Sequence, residues 1–388
     1  MSGLNLVERV RRFAGAAGIV VGSAAGAAML LASPSAMAQS AFHMYGQSYR
    51  TITMPQAGAG SSQLVGDVLP DGRIVAATGL ELLVETGVGT GLFDVLATFD
   101  GMGVGGPALD PAFVRVSPDG LRLAIGGGFG KPVIVMGAGL LGTPGAPAFV
   151  TASNASFFDV GHYDAAWADD SRLALTVGDF GSPSRVTLLD VLSPVGLPSN
   201  RTIIDGIGGS SSGIAVSANG WVFTGNGFDL GAGGSSTGTI RAFAPDVWMN
   251  EAAPAAAFES EGVLIGEVLS AASLLFDAEG NLVVGGGDFG QGDVGYLGVV
   301  NWAAVVTALS GGGPIDVLDP EALRRLMPTG DGFSYYGSAF NPVTGELYAT
   351  LGDFFTGANT WFATVPGPGG AGVMLVTAVF GARRGRRA

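Results

Sequence analysis

The sequence contains no cysteine and only two histidines among its 388 residues. Without cysteine the chain cannot form disulfides, thiolate nucleophiles, zinc–thiolate sites or iron–sulfur clusters. The two histidines, His43 and His162, are too few for a metal site built from several imidazoles. The ligand chemistry that remains is that of oxygen atoms, which suits hard cations rather than soft metals.

Basic side chains are also scarce between the two ends of the chain. The net charge of −14 includes +2 from positions 1–38 and +4 from positions 365–388, so the body between them carries −20. That body contains a single lysine, Lys131. Because so acidic a surface repels phosphate backbones, we expect no nucleic-acid partner.

Charged residues are few overall and glycine is abundant. Charged side chains make up 13% of the sequence, and 67 residues are glycine. This composition favours a β-rich protein with many turns over a helical or disordered chain. The body of about 325 residues is long enough to bury a large core.

The N-terminal segment, positions 1–38, has the three parts of a secretory signal peptide. Three arginines lie within positions 1–12, and an apolar run rich in Gly and Ala follows from about Phe13 to Ala32. The small residues Ala36 and Ala38 then precede Gln39. The pattern predicts cleavage by signal peptidase after Ala38, with an uncleaved N-terminal anchor as the alternative.

The C-terminal segment, positions 365–388, forms a second three-part pattern. A proline-containing break comes first, a short apolar stretch runs to Ala382, and arginines end the chain. The residues of the break and of the basic cluster are Val365, Pro366, Gly367, Pro368, Arg383, Arg384, Arg386 and Arg387. The apolar stretch can enter a bilayer while the arginines stay on the cytoplasmic side.

This C-terminal pattern resembles the PEP-CTERM sorting signal of bacteria, with Gly367 standing where such signals usually have Glu. The resemblance implies processing by an exosortase-type enzyme after transient contact with the inner membrane. It also implies a final location at the cell surface or outside the cell. An ordinary tail anchor is the alternative interpretation.

A repeated unit organises the body of the chain. Each unit has a short apolar strand, a turn of the Asp-Gly or Asn-Gly type, a second apolar strand and a Gly-rich loop. Six turn residues mark the units: Asp71, Asp119, Asp170, Asn219, Glu279 and Thr344. They follow one another at intervals of about 50 to 65 residues, too long for a β-solenoid. Such turns between apolar runs predict β-hairpins.

Six similar hairpins predict an all-β fold of radially repeated blades, a β-propeller over residues 41–364. We expect six blades; seven, with one degenerate blade inside the two longest intervals, is the alternative. The segment Ser48–Met54 has the character of a strand, and the last unit lacks a fourth strand. We therefore expect Ser48–Met54 to complete the last blade and close the ring.

The long intervals contain insertions with helical character. A helical turn is expected within Pro245–Ala257, and short helices are expected at Asn301–Ser310 and Asp319–Met327. Asp319 followed by Pro320 has the form of a helix N-terminus, because proline is well tolerated at the first helical position.

The loops after the second strands carry the one repeated pattern that resembles a site. Gly-Asp-Phe or a close variant recurs there, and its acidic members are Asp179, Asp229, Asp288 and Asp353. Equal offsets in a radially symmetric fold predict that these carboxylates form a ring on one face, able to hold Ca²⁺ through oxygen. The loops that enter the first strands would add Asp164, Ser212, Ser273 and Tyr336 to the same face. The alternative is structural: Phe packs between blades and Asp accepts hydrogen bonds in its own turn.

His162 lies just before the first strand of the third repeat unit. We interpret it as a polar loop residue; a general base on the channel face is the alternative.

The segment Gly213–Gly220, of sequence GIAVSANG, loosely resembles the NHL and gluconolactonase-like propellers. That resemblance implies a propeller fold. The lactonases among those propellers hold a metal in the central channel with Glu, Asn and Asp. Ser212 stands at a position where such lactonases often have Asn.

Two function classes follow. The first is an exported, non-enzymatic propeller of the extracellular matrix or envelope that binds a polysaccharide or an envelope protein. The second is a metal-dependent lactonase or other hydrolase. No catalytic residue is assigned from the sequence.

Overall fold

The protein is described from a computed structural model, which covers most of the predicted repeat region. The residues that the structure describes are 45–52, 65–99, 111–127, 133–137, 149–152, 161–179, 182–191, 200–208, 213–226, 238–268, 270–286, 296–316, 324–325, 334–352 and 359–366. Within these ranges, no helix is long and apolar enough to cross a membrane.

The described residues fold as a six-bladed β-propeller, in which each blade is a sheet with its first strand at the centre of the ring. The first strands of blades 1 to 6 are β2 (Val65–Val68), β6 (Pro111–Val116), β10 (Gly161–Trp167), β14 (Ile214–Val216), β19 (Ser273–Phe276) and β24 (Ser334–Phe340). The second strands are β3 (Ile74–Ala77), β7 (Arg122–Gly127), β11 (Arg172–Asp179), β15 (Val222–Gly225), β20 (Leu282–Gly286) and β25 (Leu347–Gly352).

The outer half of each blade contains a third and a fourth strand. The third strands are β4 (Glu81–Glu85), β8 (Val133–Gly137), β12 (Ser182–Asp190), β16 (Gly238–Phe243), β21 (Tyr296–Val300) and β26 (Asn359–Pro366). The fourth strands are β5 (Phe93–Thr98), β9 (Phe149–Ala152), β13 (Asn200–Ile207), β18 (Val263–Val268), β23 (Arg324–Arg325) and, for blade 6, β1 (Tyr45–Ile52).

Short elements are added at the edges of blades 3, 4 and 5. The helices are α1 (Asp246–Met249), α2 (Phe258–Glu261) and α3 (Trp302–Leu309), and α1 and α3 confirm two of the expected helical insertions. Two-residue strands, β17 (Ala256–Ala257) and β22 (Ile315–Asp316), pair in parallel with the fourth strands of blades 3 and 4. The insertions therefore add short elements to the edges of existing blades and do not form a seventh blade. The prediction of six blades is confirmed.

One predicted helix is wrong. The segment Asp319–Met327 was expected to be helical, but Arg324 and Arg325 form β23, which pairs with Gly298 and Val299 of β21. The physical reason is that blade 5 needs a fourth strand to pair with its third, and this demand of the sheet overrides the local helix signal.

Every blade follows the same antiparallel path. The turns between first and second strands therefore lie together at one end of the ring, which we call the turn face; they comprise residues 69–73, 117–121, 168–171, 217–221, 277–281 and 341–346. The opposite end, where second strands lead to third strands, is the loop face. Five of the six turns contain a glycine with positive φ, such as Gly72 at 89° and Gly220 at 85°, as the Asp-Gly signature predicts.

The core is divided among the junctions between neighbouring blades. Among the described residues, each of the six junctions holds one apolar cluster, and the first strands contact one another all the way round the ring. Each sheet is therefore buried on both faces, which explains why its strands are nearly continuous apolar runs rather than alternating patterns.

The N-terminal strand closes this ring, as predicted from Ser48–Met54. β1 pairs antiparallel with β26, so the first and last described strands lie side by side in blade 6. Ile52 is buried in the cluster between blades 6 and 1, against Trp361 of β26 and Ile74 of β3. Burying a side chain of this size contributes about 2 kcal/mol relative to leaving it in water.

Polar side chains also hold β1 to blade 6. The Arg50 guanidinium of β1 donates to both carboxylate oxygens of Glu346, at 3.0 and 3.1 Å. The Tyr348 hydroxyl also donates to Glu346, at 2.8 Å, and burial is the main reason that the pKa of Tyr348 is raised to about 12. Asn341 donates to the carbonyl of Gly72 at 2.8 Å, which joins the turns of blades 6 and 1.

We expect Ile52→Ala to lower the free energy of unfolding by roughly 2–4 kcal/mol, because it opens a cavity at the closing junction. Deleting residues 45–52 should lower it further and destabilise the whole propeller, since it exposes the edge of β26. Urea unfolding followed by circular dichroism measures both effects. Thr51→Ala, at an exposed neighbouring position, is the matched control and should change the free energy by less than about 0.5 kcal/mol. A deletion variant as stable as the parent would contradict closure by β1.

Candidate functional site

The centre of the ring contains a cavity of about 530 Å³ near the turn face. All six blades contribute to its wall, where the first strands end and the turns begin. One lining residue from each blade is Asp67, Arg115, Ala166, Val216, Phe276 and Phe340. The wall is mainly apolar, and its charged side chains are Asp67 of blade 1, Arg115 of blade 2 and Asp277 of blade 5.

Two buried carboxylates join neighbouring first strands around this cavity. Asp67 accepts hydrogen bonds from the backbone N–H of Val68 at 2.8 Å and from that of Val116 in the next blade at 2.7 Å. Asp164 accepts from Ala165 at 2.8 Å and from Ile214 in the next blade at 3.1 Å. A first strand pairs on one side only, so its inner edge needs such partners for its backbone groups.

Arg115 connects blade 2 to blade 3. Its guanidinium donates to a carboxylate oxygen of Asp164, to the carbonyl of Ala165 at 2.8 Å and to the carbonyl of Val114 at 3.0 Å. The Trp167 indole returns a hydrogen bond to the carbonyl of Arg115 at 3.1 Å. Both ionic side chains of this pair are largely buried, so the pair holds two blades in register at the expense of desolvating two charges.

Burial shifts the proton affinity of both carboxylates. Desolvation raises the pKa of Asp164 to about 6, although the nearby Arg115 charge and the backbone N–H donors favour the ionised form. The pKa of Asp67 is also raised, again mainly by desolvation and again opposed by Arg115. One guanidinium thus serves two buried carboxylates.

His162 does not lie in a loop, as the sequence analysis expected, but is the second residue of β10. It is 1% exposed, and its Nδ1 lies 3.2 Å from the carbonyl oxygen of Gly127 in blade 2. Burial lowers the pKa of His162 to about 4, so the imidazole is neutral at pH 7. The residue is not part of the cavity wall, and its position fits packing between blades.

The structure reaches only the beginning of the predicted aspartate ring. Asp179 is the last residue of β11, at the loop face. Asp229, Asp288 and Asp353 lie outside the described residues, so the ring and its Ca²⁺ stay a prediction. Among the residues that the structure does describe, no group of three His, Asp or Glu side chains is arranged to hold a metal.

Asp67 and Arg115 were not among the predicted site residues. Asp164 was predicted at the loop face, but it is the middle residue of β10. Asp67 and Arg115 occupy the same offset before their turn aspartates, which is the signal that aligned repeats contain. The remaining residues of the two predicted terminal signals also lie outside the described part: Ala36, Ala38, Gly367, Pro368 and the four C-terminal arginines. Val365 and Pro366 are the last two residues of β26.

Asp164 and His162 should give the stability opposite dependences on pH. The raised pKa of Asp164 means that the folded state binds the extra proton between about pH 4 and 6, so this group stabilises the fold as the pH falls. The lowered pKa of His162 means that the unfolded state binds the extra proton between about pH 4 and 6.5, so this group destabilises the fold as the pH falls.

We therefore expect the free energy of unfolding of Asp164→Asn to drop more steeply than that of the wild type from pH 6.5 to 4. That of His162→Asn should drop less steeply. Each difference should be roughly 3 kcal/mol, the free energy of a pKa shift of about two units. Urea titrations across this range measure both slopes, and slopes that change in the same direction would contradict the assignment.

The aspartate ring can be tested by Ca²⁺ titration. If the carboxylates bind Ca²⁺, a concentration of 100 times Kd should stabilise the protein by about 2.7 kcal/mol, and EDTA should reverse the effect. Asp288→Asn combined with Asp353→Asn should abolish this gain, whereas Asp94→Asn, on the exposed side of β5, should retain it. A melting temperature unaffected by Ca²⁺ would favour the structural interpretation of the Gly-Asp-Phe loops.

Solved structures with the same fold support the propeller architecture. The chain matches no protein-family model and no curated protein in sequence. It is similar to a carbohydrate-active enzyme of family AA12 from Trichoderma reesei, with a TM-score of 0.53, 12% identity, and coverage of 82% of this chain and 95% of that one.

Two further propellers are similar to the same extent. One is the GH93 α-L-arabinofuranosidase of Fusarium graminearum, with a TM-score of 0.52 and 10% identity over 82% of this chain and 98% of that one. The other is the PQQ domain of pyranose dehydrogenase from Coprinopsis cinerea, with a TM-score of 0.51 and 12% identity over 82% of this chain and 96% of that one. At these identities the likeness shows a shared propeller fold and leaves the activity open.

Proposed function

We propose that the protein is an exported bacterial propeller that binds an extracellular polysaccharide or envelope protein without catalysing a reaction. It is held at the inner membrane by its C-terminal segment before processing. The observation that carries the non-catalytic part is that three charged groups at the centre each bond to the next blade: Asp67 to blade 2, Arg115 to blade 3 and Asp164 to blade 4. Groups fixed in this way build a rigid frame for loops, which is the common use of a propeller in binding.

The export part of the proposal is supported by the sequence of the two ends. Positions 1–38 have the pattern of a signal peptide with cleavage after Ala38. The C-terminal pattern resembles a PEP-CTERM signal, whose partner is an exosortase-type enzyme. An acidic body of net charge −20 suits a soluble, surface-exposed protein.

We expect the processed protein to co-sediment with matrix polysaccharide isolated from the producing cells, at least tenfold above the heat-unfolded protein. Quantitative immunoblotting of the pellet measures this, with the matrix-protein fraction as a parallel sample for an envelope-protein partner. The lactonase alternative would instead be established if the protein hydrolyses a sugar lactone only in the presence of Ca²⁺. Asp288→Asn should then abolish this activity, and Asp94→Asn should retain it.

We expect the mature protein to begin at Gln39 and to lack the four terminal arginines. Val365 and Pro366 end β26, so we expect protease access at the positions that follow, where proline disfavours a helical conformation of the residue before it. The apolar stretch of about 14 residues is short for a permanent span of roughly 20. Mass spectrometry of the native protein decides the matter. A main form that ends at Ala388 in the membrane fraction would show a plain tail anchor.

A further inference from the structure

Both ends of the propeller leave it at the same place on the turn face. The third strand of a blade runs from the loop face to the turn face, so β26 reaches the turn face at Pro366. Tyr45 at the start of β1 pairs with Pro366. The segments that precede and follow the propeller therefore join it side by side, at the turn face of blade 6.

The connection between the propeller and the C-terminal apolar stretch is short. The stretch begins at about residue 370, so roughly four residues separate it from Pro366. Fully extended, four residues span at most about 14 Å. β26 has eight residues and is about 27 Å long, so the loop face lies about twice that reach from the exit point. An apolar stretch placed in a bilayer would thus hold blade 6 with its turn face toward the lipid.

The exposed apolar side chains of the described residues point to the same face. Large apolar side chains are well exposed at eight described positions, and six of these lie in turn-face segments. They comprise two positions in the turns between first and second strands and four in the connections that follow third strands: Leu121, Val343, Val88, Leu92, Met249 and Val306. The exposed fractions reach 60% at Leu121 and 66% at Leu92, and the six side chains are spread over five of the six blades.

The charges of the turn face are partly neutralised within the protein. Three of its aspartates pair with an arginine two or three residues later: Asp71 with Arg73 at 2.7 Å, Asp119 with Arg122 at 3.1 Å and Asp169 with Arg172 at 2.6 Å. In an acidic body, such pairing reduces the repulsion between this face and the phosphates of a lipid surface.

We infer that the turn face is a membrane-facing surface: while the C-terminal segment is in the bilayer, Leu121, Val343 and their neighbours lie against the lipid headgroups. The loop face, where second strands lead to third strands, then points away from the membrane and is the face open to partners. This inference rests on the membrane-held stage of the proposed function and adds the orientation and the surface that touches lipid.

The absence of cysteine makes the orientation measurable with single-cysteine variants. Leu121→Cys and Val343→Cys report on the turn face. Thr98→Cys and Glu267→Cys, at exposed positions near the loop-face ends of β5 and β18, are the matched controls. The unprocessed chain is labelled with a fluorescent maleimide and reconstituted into phosphatidylcholine vesicles that carry an energy acceptor on a lipid headgroup. The same labelled chains ending at Pro366 give the background.

We expect energy transfer to the lipid acceptor to be at least twofold greater from the turn-face labels than from the loop-face labels. Vesicles that float without the unprocessed chain would refute the membrane-held stage itself and this inference with it. A chain that floats but shows equal transfer, or greater transfer from the loop face, would overturn the orientation alone. If unlabelled Leu121→Cys chains cross-link to each other and the labelled chains show weak transfer, the turn face is a contact between copies, and the orientation is overturned as well.

Discussion

Closure of the ring is the constraint on which the rest of this structure depends. Every blade is a sheet that is apolar on both faces, so it is stable only between two neighbours. A row of such sheets leaves two faces in water unless the last blade meets the first. Here β1 supplies the fourth strand of blade 6, and Ile52 enters the junction with blade 1. Because the first and last strands are partners, the stability of every junction is linked to that one pairing.

The same demand explains the buried charges at the centre. The first strands converge where sheets are too crowded for further pairing, which leaves inner-edge N–H groups without a ladder partner. The Asp67 and Asp164 carboxylates accept from such groups in the next blade, and Arg115 offsets part of their charge. The raised pKa values of Asp67 and Asp164 resemble those of catalytic carboxylates, but the packing of the blades accounts for them. Buried carboxylates in a protein interior can have shifted pKa values for structural or for catalytic reasons.

The two faces of the ring carry different kinds of connection. The turn face carries the short turns between first and second strands, with paired aspartates, and also the longer, helix-containing connections that follow third strands, with exposed apolar residues such as Met249. Both ends of the propeller meet there. The loop face receives the connections from second to third strands and from each blade to the next. A rigid ring that is attached at one face leaves the loops of the opposite face available as a binding surface. The shared fold with carbohydrate-active propellers leaves this assignment open to test.

The repeat, the preference for six blades over seven and the strand that closes the ring were predictable from the sequence. The reason is that turn signals such as Asp71-Gly72 and Asn219-Gly220 act locally, through the backbone freedom of glycine, and recur at similar intervals. The strand at Arg324 and Arg325 depends on tertiary packing, because the edge of β21 that pairs with it outweighs a local helix signal. Likewise, the roles of Arg115 and His162 depend on which groups of a neighbouring blade face them, and those groups are about 35 to 50 residues away in the sequence. A sequence pattern indicates how a residue shapes its own turn, whereas the burial of a side chain and the charge of its partners arise only when distant blades pack together.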